Sequence, residues 1–102
     1  MKKLLYLAAL LISAHSVGAE RLSYTPPNGF VPDEKTAIEI AKAVWSPIYG
    51  EDKIKKEKPF HATLSDNVWT VKGSLPKGLK GGVAVIEISK DDGKIIYVSH
   101  GK

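Results

Sequence analysis

The sequence predicts an α+β domain: one N-terminal amphipathic helix packed on a four-stranded antiparallel meander sheet. Three observations carry this expectation. A capped stretch with helical apolar spacing occupies residues 33–48. After Pro59 the apolar period switches to two. Turn residues then divide the rest into four short runs, and consecutive strands joined by short turns usually lie side by side. A helix with one apolar stripe laid across such a sheet gives a two-layer domain.

The chain of 102 residues opens on Met1-Lys2-Lys3, an unbroken apolar run from Leu4 to Ile12, and small residues at Val17-Gly18-Ala19. This is the layout of a secretory signal peptide, with an apolar core too short to span a bilayer. Cleavage is expected after Ala19, with no stable membrane association of the mature chain and a periplasmic location. The expected organisation is a leader over 1–19, an irregular arm over 20–32 and a single α+β domain over 33–102. The arm carries Tyr24-Thr25-Pro26-Pro27-Asn28-Gly29, which is turn and polyproline chemistry, and Phe30-Val31-Pro32 is placed to pin it onto the domain.

Asp33 reads as a helix N-cap, its carboxylate accepting from the free N–H groups of the first turn, and Glu34 adds favourable charge there. Ala37, Ile38, Ala41, Val44, Trp45 and Ile48 form the apolar stripe, and Lys35, Glu39 and Lys42 the wet face. Pro47 lacks an N–H, so the helix is expected to end or kink near Ser46. A further exposed turn or two is expected over 51–58, whose mixed charge reads as solvated surface. Phe60, Ala62 and Leu64 alternate with His61 and Thr63 as the first strand. Asp66-Asn67 is the turn into a second, Val68 to Gly73. A Gly- and Lys-rich loop over 76–82 leads to a third, Val83 to Ile88. Asp91-Asp92-Gly93-Lys94 is a hairpin turn into the last, Ile95 to His100.

The last hairpin is apolar on both faces. Alternation points Ala84, Ile86 and Ile88 one way, joined by Ile96 and Val98, and points Val83 and Val85 the other way, joined by Ile95 and Tyr97. A half-solvated antiparallel sheet is expected to be polar outside. Either the arm and residues 47–58 fold over the second face, or that face docks a partner protein or a second copy in a homodimer.

Composition excludes several functions. With no Cys, thiol catalysis and Cys-based metal sites are absent. The 15 Lys and Arg against 11 Asp and Glu give +4, and two of these lysines belong to the leader. Arg21 is the one arginine, and no aromatic–arginine interleaving points to nucleic acid. Ser65, Ser74, Ser89 and Ser99 lie in ordinary turn or strand contexts without a Gly-x-Ser-x-Gly elbow. His61 and His100 carry no acid at a spacing that implies a relay, and Asp91-Asp92 lacks the alternating oxygens of a calcium loop. Glu87, inside an apolar strand, is the one candidate for acid–base work, and a lysine such as Lys72 is its expected partner. Lys77-Gly78-Leu79-Lys80-Gly81-Gly82 precedes a strand instead of a helix, which argues against a phosphate loop. No cofactor, no metal and no catalytic residue is expected.

From Val31 onward the chain resembles a bacterial family, the immunity proteins with a nuclear-transport-factor-two-like fold found beside polymorphic toxins. The matching pieces are Val31-Pro32-Asp33-Glu34 with Thr36 to Ala41, Pro47-Ile48-Tyr49-Gly50, Lys58-Pro59-Phe60, Val68-Trp69, Gly73-Ser74-Leu75-Pro76, Gly81-Gly82, Ile86 to Ile95 and His100-Gly101-Lys102. The resemblance implies a cone-like α+β fold and a non-enzymatic protein that binds and inhibits a cognate antibacterial toxin, delivered by contact-dependent or type VI secretion or on Rhs-type proteins. With a leader, the implied target acts in the periplasm, and a peptidoglycan-degrading effector leads. The expected contact surface is the second sheet face with its bordering loops: Trp69, Lys72, Lys77, Lys80, Val83, Val85, Ile95 and Tyr97. Aromatic anchors would supply affinity and rim lysines would steer encounter. Two other functions fit a small helix-on-sheet domain: an exported peptidase inhibitor unrelated to toxins, and an isomerase or dehydratase, which needs a deep pocket with convergent carboxylates.

Overall fold

The computed structural model describes residues 20–102, so the expected leader and its cleavage after Ala19 lie outside the described residues. Helix α1 runs Glu34–Tyr49 and a short α2 runs Glu51–Lys55, followed by β1 (His61–Ser65), β2 (Val68–Lys72), β3 (Ala84–Ser89) and β4 (Ile95–His100). All neighbouring strands are antiparallel in the order β1-β2-β3-β4, the expected meander.

Asp33 caps α1 as its chemistry requires: its Oδ1 accepts from the Thr36 backbone N–H at 2.8 Å. That hydrogen-bonding to Thr36 holds the carboxyl below its ordinary value. The helix does not stop at Ser46. It carries Pro47 in its last turn and ends at Tyr49, where Gly50 takes φ +101°. So close to the end, the missing Pro47 N–H costs one intrahelical bond, and the chain turns off only where Gly permits it. Ala37, Ala41 and Trp45 are buried, with Ile38, Ile40 and Val44 packed beside them. Ile48, expected in the stripe, is exposed, because the buried positions recur every four residues from Ala37 through Trp45 and lead on to Tyr49, which packs on the core.

The β1–β2 turn places Asp66 at φ 51° and Asn67 at φ 66°. Two successive left-handed residues make the two-residue hairpin turn whose twist suits the strands. Register puts Trp69, Val71, Ile86 and Ile88 on the face that α1 covers. Helix α1 lies over β1, β2 and β3, its Tyr49 reaches His100 at the end of β4, and the start of that edge strand is left exposed.

The arm and α2 also close over the helix side, not over the second sheet face. Phe30 and Val31 donate backbone N–H groups to Asp91 and Lys90 carbonyls, each at 3.0 Å, and Val31 is buried. Ile54 of α2 joins the same core. The outer face therefore stays open to solvent or to a partner.

Candidate functional site

The expected contact residues do not form one patch. Trp69 is removed from it altogether: it is 6% exposed, faces α1, and donates its Nε1–H to the Val31 carbonyl at 2.7 Å. Cross-strand pairing with Ile88 fixes that side, because directly opposite residues share a face. Lys72 and Val85 pair across β2 and β3 on the outer face, with Val83 beside them. Tyr97 lies on the same face opposite Glu87. Lys72 makes no ion pair with Glu87, which is half-buried between Thr70 and Tyr97.

Ile95 sits at the other end of the sheet, opposite the buried Ile88, so it lies on the helix-side face and not on the outer face where it was expected. Between it and Tyr97 the register shifts, and two steps on β4 answer one step on β3. Such a bulge breaks alternation. Ile96 is consequently 48% exposed instead of joining the core, beside Ile95 at 38% and Tyr97 at 51%, while Val98 packs inward. Three consecutive large apolar side chains thus stand exposed at the start of this edge strand.

Lys77 and Lys80 belong to the loop between β2 and β3, where a second arrangement is found that the sequence reading missed. Glu57, expected in a solvated charged turn, is 4% exposed. Its Oε1 accepts from the Ala84 backbone N–H at 2.8 Å, its Oε2 lies 2.7 Å from His100 Nε2, and its own carbonyl accepts from the Ser74 N–H at 2.6 Å. Three separate segments therefore meet on one residue. His100 Nδ1 lies 2.7 Å from the Gly101 carbonyl, which can only accept, so that nitrogen carries a proton. Its Nε2 faces the Glu57 carboxyl group. The Tyr49 ring closes over the imidazole at 5.1 Å. Gly73 makes room for the carboxyl: a Cβ there would lie 2.4 Å from Glu57 Oε1. The signal for Glu57 was present in the spacing, since it follows the inward Ile54 by three positions.

Beside this knot is a groove of about 320 Å³ whose lining includes Lys53 and Lys56 of the α2 region, Leu75, Leu79 and Lys80 of the loop, and Lys102. A second depression of about 380 Å³ lies between α1 and α2, lined in part by Glu39, Lys42, Glu51 and Lys55. Among the described residues no group of His, Asp and Glu is arranged to hold a metal ion.

A family model described as an NTF2 fold immunity protein matches residues 36–102. Two proteins of Escherichia coli K12 are similar to the chain. One, called uncharacterized protein YhhH, is 38% identical over 80 residues, covering 78% of this chain and 62% of that protein. The other, uncharacterized protein YbbC, is 37% identical over 73 residues, covering 71% of this chain and 60% of that protein. The chain spans about three fifths of the length of these relatives. No solved structure matches.

Proposed function

The chain belongs to the NTF2-fold immunity protein family, and from that membership we propose that the protein is a non-catalytic inhibitor that binds a cognate antibacterial toxin and occludes its active site. The observation that carries this reading is the extent of the family match, which takes in all four strands and nearly all of α1. The geometry supports a docking role for the open side of the sheet. Tyr97 on the outer face and Ile96 exposed at the bulge beside it offer apolar anchors on β4, and Lys72, Val83 and Val85 continue the surface at the far end of the outer face. Exposed aromatic and aliphatic side chains on a rigid sheet are the kind of anchor that dominates binding energy, and flanking lysines accelerate encounter.

The leader-like residues 1–19 support action in the periplasm. An inhibitor must work where its target works, so the toxin class we infer is one that attacks peptidoglycan. The test is co-expression with the product of the neighbouring gene, directed to the periplasm. Protection and co-purification are expected, and Tyr97→Asp together with Ile96→Asp should abolish both while the thermal midpoint stays put. Failure of the unaltered protein to bind or protect overturns the reading.

A further inference from the structure

We propose that the groove beside Glu57 is a binding site for an acidic segment of the partner protein, one that places carboxylates against lysines and an apolar side chain against two leucines. The proposal rests on the toxin-inhibitor reading for the partner's identity, and on charge and shape for its chemistry.

Charge balance distinguishes the two depressions. In the one between α1 and α2, Lys42 pairs with Glu39 at 3.0 Å and Lys55 with Glu51 at 3.4 Å, so its cations are already answered. In the groove, none of Lys53, Lys56, Lys80 and Lys102 forms an ion pair among the described residues. The one carboxylate side chain in the lining is Glu57, and both of its oxygens are engaged by Ala84 and His100. It is buried and cannot turn to neutralise the rim. An unbalanced cluster of cations around a concave surface concentrates field and favours an anionic ligand.

The apolar part of the lining narrows the class. Leu79 is 60% exposed and Leu75 43%, and both line the groove with the lysines. A bare phosphate or a polyanion gains nothing from them. A peptide that alternates acidic and apolar side chains satisfies both. Nucleic acid is a poorer fit, because the lining has no arginine and no aromatic ring other than the His100 imidazole, itself packed at a tilt against Tyr49 and bound to Glu57. One wall of the groove is tied to the sheet by the Glu57 bonds, and at its edge Gly82 packs so closely on Gly101 that a Cβ would fall 2.1 Å from its Cα.

The experiment uses the whole chain and two ligands. One is the toxin that the protein protects against in the test above. The other is a labelled synthetic hexapeptide alternating glutamate with leucine, compared with its lysine–leucine counterpart and a single-stranded oligonucleotide of equal charge. Replacing Lys53, Lys56 and Lys80 together by Glu, all at the surface, should weaken toxin binding at least tenfold, mainly through slower association, and flatten its dependence on salt. The acidic peptide should bind the unaltered protein and lose that binding both in the triple variant and in Leu79→Asp, with circular dichroism unchanged. Equal binding of oligonucleotide and peptide overturns the proposal, as does unchanged toxin affinity in the triple variant. If the acidic peptide binds and the toxin does not, the groove stands and the toxin-inhibitor reading falls.

Discussion

The two ends of the sheet are held by different means. At the turn end, where Asp66-Asn67 and residues 90–94 reverse the chain, many weak ties share the work. Lys90 N–H donates to the Asn67 carbonyl at 2.9 Å, Asn67 Nδ2 to Asp91 at 2.7 Å, and Phe30 and Val31 dock on Asp91 and Lys90. Lys90 also reaches the Asn28 carbonyl, and Trp69 ties the arm to the core. At the loop end, Ser74, Ala84 and His100 converge on Glu57, beside ties from Gly73 N–H to the Ala84 carbonyl, Gly101 N–H to the Val83 carbonyl and the Ser74 hydroxyl to the Pro59 carbonyl. Backbone ties spread over many residues tolerate substitution, whereas a convergent buried side chain concentrates the cost of its loss at one position. The unpaired cations and exposed leucines are also gathered at the loop end, so this is where a change in stability should reach binding.

The largest expected effect tests that claim directly. Glu57→Ala removes an acceptor from the buried Ala84 N–H and leaves His100 without its partner, which should lower the unfolding free energy by about 3 kcal/mol in urea denaturation. Glu57→Gln should cost much less, about 1 kcal/mol, because its amide oxygen can still accept from Ala84 and its amide nitrogen can donate to a neutral His100 that keeps its Nδ1 proton toward Gly101. Equal losses in the two variants would mean that charge, and not hydrogen bonding, joins the segments. Next in size is Gly82→Ala. The added methyl collides with Gly101 backbone, so the end of β4 must move off the loop, at about 2 kcal/mol. The acidic-peptide affinity should fall with it, while hydrogen exchange at Asn67 and Lys90 stays slow. Loss of protection at both ends would erase the distinction drawn here.

How much was legible in the sequence follows the same division. Local signals read correctly: the Asp33 cap, the switch to period two at Pro59, and the two turns are all set by neighbouring residues, and the meander follows from short connections. What failed depended on register or on distant partners. The assignment of Trp69 to the outer face needed its pairing with Ile88, and the exposure of Ile96 came from a bulge with no glycine to announce it. Glu57 was hidden because its partners lie 27 and 43 positions away. Burial of a carboxylate within Lys53-Ile54-Lys55-Lys56-Glu57-Lys58 contradicts composition, and only the inward phase set by Ile54 favoured it.

At the turn end a smaller change should have a local result. Trp69→Phe keeps an aromatic ring in the core but loses the donor to Val31, at about 1 kcal/mol. Because Phe30 and Val31 still pair with Asp91 and Lys90, the arm should remain docked, and limited proteolysis within residues 20–32 should rise only modestly. Rapid cleavage of the arm in this variant would show that one indole, and not a set of ties, secures it.

The weakest test concerns where α1 begins beside that same end. The Asp33 carboxylate is held below its ordinary value by hydrogen bonds from Thr36, and its cap is solvent-exposed. A carboxylate whose folded value is depressed contributes stability that is present above the unfolded value, about 4, and lost as pH falls through the folded one. Asp33→Ala should therefore be less stable than the unaltered protein at pH 7, and the gap should narrow on acidification below pH about 4. Glu57→Ala should remain markedly destabilised over the same descent, since the Ala84 N–H stays buried and orphaned at any pH. A gap for Asp33→Ala that does not change with acid would mean that the side chain caps equally well as a neutral acid. The helix dipole would then add nothing to the geometry of the cap.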